Sequence, residues 1–285
     1  MPDHAIVDAH VHLWDPRRLR IPWLDGNELL DQSYGLDEYQ AHTAGLEVAA
    51  MVYLQVDVDP AYALIEAHDI ARLADRDPRL QAIVAWAPLE HGEHARSFLD
   101  ALTAIDQRIR GVRRILQGEA DPAFCLRPDF VRGVELLADY GLSFDICINH
   151  TQLAAAVELV RRCPQVNFML DHIAKPDIRG GRLDPWRADM QALAELPNVM
   201  CKISGVVTEA DHTAWQIDTI APYVTHALDV FGMDRVAFGG DWPVVLLASN
   251  YRRWVEALDT LTSSYSPEAR RKLWVENARR FYRLP

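Results

Sequence analysis

Eight short apolar runs, each rich in β-branched residues, recur along the chain at intervals of about 25 to 45 residues. The runs are residues 5–10, 48–56, 80–87, 109–116, 142–148, 166–172, 198–204 and 235–241. Between them lie segments with helical periodicity or loop character, so strand and helix alternate eight times. This alternation predicts an α/β fold and favours a (β/α)8 TIM barrel over the alternative of an eight-stranded doubly wound sheet.

Two connecting segments, residues 60–75 and 151–163, have the periodicity of amphipathic helices. The apolar stripe predicted for the first consists of Tyr62, Ile65, Ala67, Ile70 and Leu73. Two other segments, residues 16–36 and 176–185, are long loops without a clear period, and we expect them to act as lids over an active site.

The length and charge of the chain limit what it can be. A chain of 285 residues is close to the roughly 250 residues of an α/β barrel, so we expect a single domain over residues 1–285. The net charge of −12 argues against nucleic-acid and anionic-membrane partners. Because there is neither a signal peptide nor an apolar run of about 18 residues, we expect a soluble, cytoplasmic protein. The four cysteines form no C-x-x-C pair and are expected to be structural thiols.

The first run carries polar side chains on one face. Side chains alternate across a strand, so Asp8, His10 and His12 can all point into the barrel mouth. Two imidazoles two residues apart can hold one metal ion or one substrate oxygen. A His-x-His pair is weak by itself, since most such pairs are surface or core histidines. Its place at the end of the first predicted strand makes it a candidate for the active site.

Three further polar residues follow later strands. His150 lies two residues past the fifth run, His172 closes the sixth and Asp241 closes the eighth. A parallel barrel assembles its active site at the carboxyl ends of its strands. Each residue alone could cap the helix that follows it. The coincidence of all of them at strand ends favours a shared catalytic site.

Five sequence segments carry a resemblance to a known family. They are DAHVHLWDP at 8–16, GVRR at 111–114, DHIAKP at 171–176, CKISG at 201–205 and FGGDWP at 238–243. Together with His150 after the fifth run, these segments resemble the amidohydrolase superfamily, and the resemblance extends over nearly the whole chain. The finer match is to its lactonase-containing branch, which includes L-fuconolactonase, L-rhamnonolactonase and 2-pyrone-4,6-dicarboxylate lactonase. The resemblance implies a distorted, amidohydrolase-like (β/α)8 barrel and a hydrolase activity.

A mechanism follows from this resemblance. Asp241 is expected to act as general base and to take a proton from the water that attacks a lactone carbonyl. His10, His12 and Arg113, or a metal ion held by the histidines, are expected to stabilise the developing oxyanion. His172 or His150 would then protonate the departing ring alkoxide.

The metal content is constrained by a departure from the family pattern. Better-known members carry a Lys or Glu after the fourth strand that bridges two metal ions, whereas this chain has Arg113 and Arg114 there. A guanidinium stays protonated and cannot ligate a cation, so we expect at most one divalent ion per chain. Two alternatives stay open, a catalysis that needs no metal and a single Zn²⁺. The candidate ligands for that ion are His10, His12, His172 and Asp241.

The resemblance implies a sugar lactone of the L-fucono or L-rhamnono type as the substrate, and two features of the sequence favour a neutral one. A dianionic pyrone would require several convergent arginines, which this chain does not clearly offer at its strand ends. Tryptophans at strand ends can stack on the apolar face of a sugar ring. The candidate substrate-binding residues are Trp14, Trp86, Trp242, Lys175 and Lys202. The alternatives are a metal-dependent decarboxylase or amidase on the same fold and a catalytically silent sugar-binding barrel.

Overall fold

The computed structural model describes residue 2 and residues 4–285. Eight parallel strands form one sheet in the order β1 to β8, and each strand pairs with the next along the chain. The strands are β1 Ile6–Val11, β2 Val48–Leu54, β3 Leu80–Ala85, β4 Ile109–Val112, β5 Ser143–Ile146, β6 Phe168–Leu170, β7 Val199–Ile203 and β8 Val236–Phe238. All eight predicted runs are therefore strands.

The sheet is a nearly closed barrel. Residues just past β8 complete it, because the amide of Asp241 donates to the carbonyl of His10 at 2.8 Å and the amide of His12 donates to the carbonyl of Trp242 at 2.8 Å. The predicted (β/α)8 fold is confirmed. The closing residues are themselves candidates for the site, so closure of the barrel also positions its polar side chains.

Helices connect the strands on the outside. They are α1 Leu36–His42, α2 Ala63–Arg76, α3 Arg96–Thr103, α4 Pro128–Leu136, α5 Leu153–Arg162, α6 Trp186–Ala194, α7 Ile217–Phe231, α8 Tyr251–Leu261, α9 Pro267–Arg271 and α10 Asn277–Tyr282. The stripe predicted for residues 60–75 was partly wrong, because Tyr62 and Ile65 are 37% and 45% exposed. The helix begins at Ala63 after a 3₁₀ turn, which changes its phase and turns Glu66 inward instead.

The lower half of the barrel interior is apolar. Small strand residues such as Ala9, Ala50 and Ala237 leave room there for Ala278 and Tyr282 of α10. The four cysteines are buried and unpaired, as predicted. In the part of the chain that the structure describes, no helix is long and apolar enough to cross a membrane.

Candidate active site

A cavity of about 180 Å³ opens at the carboxyl ends of the strands. We call it the catalytic cavity. Its lining residues are His12, Trp23, Val56, Asp57, Arg113, Ile115, Gln117, Cys147, His172, Lys175, Asp241 and Val244. Ligand sites commonly span about 300 to 1,000 Å³, so this cavity suits a small substrate.

His10 and His12 lie at the end of β1 and face each other. Nδ1 of His12 lies 2.8 Å from the carbonyl of Leu54, which can only accept, so Nδ1 carries the proton and Nε2 of the neutral ring presents a lone pair. The two Nε2 atoms are 3.2 Å apart. Burial lowers the pKa of both histidines. Nε2 of His12 therefore needs a partner on the side of His10, either a proton on Nε2 of His10 or a cation held by both rings.

Asp241 follows β8 with a positive φ of 52°. Its Oδ1 lies 3.6 Å from Nε2 of His12, 3.7 Å from Nε2 of His10 and 3.9 Å from Nε2 of His172. Burial acts to raise the pKa of Asp241, but the neighbouring His172, His12 and Lys175 side chains outweigh it and lower the pKa. The carboxylate is therefore ionised at neutral pH and can accept a proton.

His172 belongs to a left-handed turn of four non-glycine residues after β6. The φ angles of His172, Ile173, Ala174 and Lys175 are 53°, 46°, 60° and 45°. Each such residue is strained by about 1 to 3 kcal/mol, and strain of this kind concentrates at functional sites. The turn directs His172 and Lys175 into the same cavity.

Gly205 leaves the space that His172 needs. A Cβ at Gly205 would lie 2.5 Å from Nδ1 of His172 and 3.0 Å from Oδ2 of Asp241, and its φ is +58°. Nδ1 of His172 also contacts Oγ of Ser204 at 2.9 Å. The segment CKISG therefore serves the site by shaping the space behind two catalytic candidates.

Arg113 follows β4 and is buried beside the histidines. Its Nη1 lies 3.2 Å from Nε2 of His10 and 3.3 Å from Oδ2 of Asp171, and its Nη2 donates to the carbonyl of Gln55. The guanidinium thus stands beside the candidate metal ligands and, being permanently protonated, cannot itself ligate a cation. It brings a fixed positive charge to the rim of the histidine cluster.

A layer of paired charges lies below the catalytic cavity. Nζ of Lys202 is 2.7 Å from Oδ2 of Asp145, 3.0 Å from Oδ1 of Asp171 and 3.4 Å from Nδ1 of His10. Burial acts to raise the pKa of Asp171, but Lys202, His172 and Arg113 outweigh it and lower the pKa. Lys202 was predicted to bind substrate, yet it is fully buried and does not line the cavity. A buried ammonium requires anionic partners, and these hold it beneath His10.

His150 lies beside the catalytic cavity rather than in it. Its Nδ1 is 3.0 Å from the carbonyl of Lys175. His150 lines an adjoining cavity with residues of the 176–185 loop, and Lys175 lines both cavities. The left-handed turn accounts for this, because it brings Lys175 between the two histidines that follow β5 and β6.

The three predicted sugar-stacking tryptophans are also outside the lining. Trp14 donates through Nε1 to the carbonyls of Leu30 and Gln32. The ring of Trp86 contacts Phe98 edge to face, and the buried ring of Trp242 contacts Tyr34 and Tyr39 in the same way. Their indoles anchor loops and helices to the barrel instead of facing the cavity.

Trp23 is the aromatic residue that does line the cavity, and sequence reasoning did not select it. It lies in the 16–36 loop, is 41% exposed and donates through Nε1 to the carbonyl of Val56 at 2.7 Å. Asp57, three residues past β2, was missed as well. Its position at a strand end is the same signal that selected Asp241, so it could have been found.

Two groups of described residues could hold a metal ion, namely His10 with His12 and Asp241, and His10 with Asp171 and His172. Zinc bonds of about 2.0 to 2.2 Å give a tetrahedron with edges of about 3.3 to 3.6 Å. The separations of 3.2 to 3.9 Å between the Nε2 atoms and Oδ1 of Asp241 are close to these edges. The donor set therefore fits one small divalent ion.

A (β/α)8 barrel that gathers histidines, an ionised aspartate and buried cations at its mouth defines a barrel enzyme of the hydrolase class. Residues 7–284 match the family described as Amidohydrolase, and the chain belongs to that family. An L-fucono-1,5-lactonase of Burkholderia multivorans is 33% identical, with 98% of this chain and 96% of that protein covered. An L-fucono-1,5-lactonase of Burkholderia ambifaria is 30% identical, with 98% and 95% covered.

A solved structure supports the same family assignment. The crystal structure of an amidohydrolase from Burkholderia multivorans with bound zinc is 31% identical, has a TM-score of 0.90, and is matched over 99% of this chain and 100% of that chain.

Proposed function

We propose that this enzyme opens a neutral sugar lactone of the L-fucono or L-rhamnono type to the sugar acid. One observation carries the proposal: an ionised carboxylate, Asp241, faces the same small cavity as the cations of Arg113 and Lys175. This is the minimum that water addition to an ester carbonyl requires, a base beside an oxyanion stabiliser. The two L-fucono-1,5-lactonases similar to this chain support the choice of a lactone.

The first step is the addition of water to the lactone carbonyl carbon. Asp241 takes one proton from the water as the new C–O bond forms, and the carbonyl oxygen becomes an oxyanion. Arg113 and Lys175 supply positive charge to this oxyanion from within the cavity lining. The ring of His12 packs beside this carboxylate, with Nε2 3.6 Å from Oδ1.

The second step breaks the bond between the carbonyl carbon and the ring oxygen, which needs a proton. Burial lowers the pKa of His172 well below its usual value, so its ring is neutral at neutral pH and is a poor proton donor. Burial also acts to lower the pKa of Lys175, but Glu209, 3.2 Å away, outweighs it and raises the pKa. We therefore assign the donor role to Lys175. The net reaction adds one water and releases a carboxylate and a proton.

His10, His12 and Asp241 would hold a single divalent ion, because their donor atoms lie 3.2 to 3.7 Å apart. His172 stands beside them as a further candidate ligand, with Nε2 3.9 Å from Oδ1 of Asp241. When bound, such an ion supplies Lewis-acid chemistry toward an oxygen ligand. Arg113 stands 3.2 Å from Nε2 of His10 and cannot ligate a cation, so the site would hold no more than one ion. The amidohydrolase structure with bound zinc supports a site of this kind.

The charge of the catalytic cavity favours an uncharged substrate. The lining cations, Arg113 and Lys175, are matched by two lining carboxylates, Asp57 and Asp241. A dianion would meet no excess of positive charge there. Trp23, partly exposed at the cavity, offers an apolar face to a sugar ring, and Gln117 offers hydrogen bonds to hydroxyls.

A panel of sugar lactones assayed by proton release, with and without a chelator, tests the proposal. We expect the highest kcat/KM for L-configured deoxy-sugar lactones. Turnover of a benzoate or an amide in place of every lactone would favour a decarboxylase or amidase instead. Binding of sugar lactones without any turnover would show a silent binding barrel.

A further inference from the structure

A second cavity, of about 370 Å³, lies between α2 and the loop that joins β1 to α1. We call it the Glu66 cavity. Its inner wall is mainly apolar and includes Trp14, Ile21, Tyr34, Tyr53 and Ile70. Val56 is the single residue that lines both this cavity and the catalytic cavity among the residues described. The two cavities are therefore neighbours with different linings.

Glu66 occupies a position where an apolar residue is expected. Glu66, Ile70 and Leu73 follow one another at the spacing of one helix face, and all three line the cavity. Glu66 is only 2% exposed. A carboxyl in an apolar stripe is costly to bury, so its hydrogen bonds decide what it does there.

Only one oxygen of Glu66 is used by the protein. Oε1 accepts from the amide of Val56 at 2.8 Å and from the hydroxyl of Tyr53 at 2.8 Å. Oε2 is buried and has no hydrogen-bond partner among the described residues. Oε1 accounts for a structural role in holding the loop after β2. This structural role leaves Oε2 without a partner, whereas buried polar atoms are normally hydrogen-bonded.

A hydroxyl group suits Glu66 better than a group that can only donate or only accept. Burial raises the pKa of Glu66 to about 7, so both its protonated and its ionised forms are populated near neutral pH. A hydroxyl can donate to the carboxylate and can accept from the carboxylic acid. It therefore completes the hydrogen bonding of Oε2 in either form.

The rim of the cavity favours a negative charge. Three arginines, Arg18, Arg72 and Arg76, stand there against two carboxylates, Asp15 and Asp69. Arg18 is held by both oxygens of Asp69. The side chain of Arg72 is 75% exposed and lies 3.8 Å from the same carboxylate, and Arg76 has no ion-pair partner within the described ranges. Because the exposed pair of Arg72 with Asp69 contributes little, Arg72 can bind an anionic group together with Arg76.

We propose that the Glu66 cavity is a second ligand site for a small apolar carboxylate with a hydroxyl at the end opposite its carboxylate, as in a hydroxyaryl alkanoic acid. Arg72 and Arg76 hold the carboxylate at the rim. The apolar wall takes the body of the ligand, and Oε2 of Glu66 pairs with its hydroxyl. This site is independent of the lactonase proposal, because it shares no catalytic residue with the catalytic cavity.

The test is a calorimetric titration of the whole protein with 3-(4-hydroxyphenyl)propionate as the probe. We expect one site per chain, and at least about tenfold weaker binding of 3-phenylpropionate, which lacks the hydroxyl. Glu66→Met removes both the donor and the acceptor that the hydroxyl would use, so it should weaken the probe at least about tenfold and bring the two acids to similar affinities. Equal affinity for the two acids in the unmodified protein, or no binding at millimolar probe, would overturn the proposal.

Two further variants locate the binding. Replacing both Arg72 and Arg76 by Ala changes only exposed side chains, so it leaves the fold intact, and it should weaken the probe at least about tenfold. Lys175→Met removes a cation from the catalytic cavity and should leave the probe affinity within about twofold. The reverse result, loss of binding in Lys175→Met but not in the arginine or Glu66 variants, would place the probe in the catalytic cavity and refute the second site. Thermal unfolding checks that each variant is folded.

Discussion

The catalytic cavity and the Glu66 cavity meet at Val56, and each has one buried carboxyl in its lining. The pKa values of these two carboxyls are nevertheless shifted in opposite directions. Asp241 and Glu66 are each 2% exposed. Burial acts to raise the pKa of both, but the pKa of Asp241 is lowered and that of Glu66 is raised to about 7. Equal burial therefore does not set the charge of a carboxyl. The groups that surround it do.

The difference lies in the partners. Asp241 has His172, His12 and Lys175 around it, whereas Glu66 has only two hydrogen-bond donors on one of its oxygens. Asp8 is an intermediate case. It accepts hydrogen bonds from Tyr39, Tyr251 and two backbone amides, and burial still raises its pKa to about 6. Neutral donors thus reduce the effect of desolvation at Asp8, whereas two histidines and the Lys175 cation together reverse it at Asp241.

The largest effect is expected from Asp241→Asn, which removes the ionised carboxylate from the catalytic cavity. An amide has nearly the same shape but cannot take a proton from water, so kcat should fall by about 10² to 10⁴-fold. Steady-state kinetics on the best sugar lactone measures this, with the exposed Asp31→Asn as the matched control. Retention of more than about half of the turnover would remove Asp241 from the role of general base.

The next effect concerns substrate charge. Because the lining charges of the catalytic cavity are balanced, L-configured sugar lactones should exceed 2-pyrone-4,6-dicarboxylate by at least about a hundredfold in kcat/KM, or roughly 2.7 kcal/mol. Salt should hardly change the rate on sugar lactones. Comparable rates on the two substrates, or a steep decrease of the sugar-lactone rate with salt, would mean that the cavity is built for anions.

The Glu66 cavity should make stability depend on pH. The folded protein binds the Glu66 proton more tightly than the unfolded chain, so this stabilisation is full below the unfolded pKa and is lost as the pH rises through about 7. Glu66→Gln has no such proton. The free energy of unfolding of Glu66→Gln minus that of the unmodified protein should therefore increase by on the order of 3 kcal/mol from about pH 4.5 to about pH 8.5.

Urea unfolding of both proteins at the two pH values measures this difference. Asp8 contributes a slope of the same sign to both proteins, so it cancels in the comparison. A difference that does not change with pH would show that burial does not raise the pKa of Glu66 in the folded protein.

The smallest effect is expected from removing metal. Arg113 already brings a fixed positive charge to His10, so chelator-treated enzyme should keep its lactonase activity. Elemental analysis should find at most one divalent ion per chain. A complete loss of activity that added zinc restores would establish a metal-dependent mechanism and make the ion the dominant cation of the catalytic cavity.

Much of the fold and part of the site follow from local pattern. Alternating strand and helix periods predict all eight strands, and the carboxyl ends of those strands select His12, His172 and Asp241, which line the catalytic cavity. The prediction works because the side-chain period of a strand and the geometry of a parallel barrel are properties of short segments. Arg113, directly after β4, was selected by the same rule.

Contacts between distant segments decided the rest. The sequence chose Trp14, Trp86 and Trp242 by their positions, but the folding of the 16–36 loop over the mouth brought Trp23 to the cavity. The left-handed turn after β6, the pairing of Lys202 with Asp145 and Asp171, and the uncompensated oxygen of Glu66 likewise appear only in the tertiary structure. Sequence spacing determines which side chains share a face. Which partners then surround a buried charge depends on loops and strands far apart in the chain, and those partners set its ionisation.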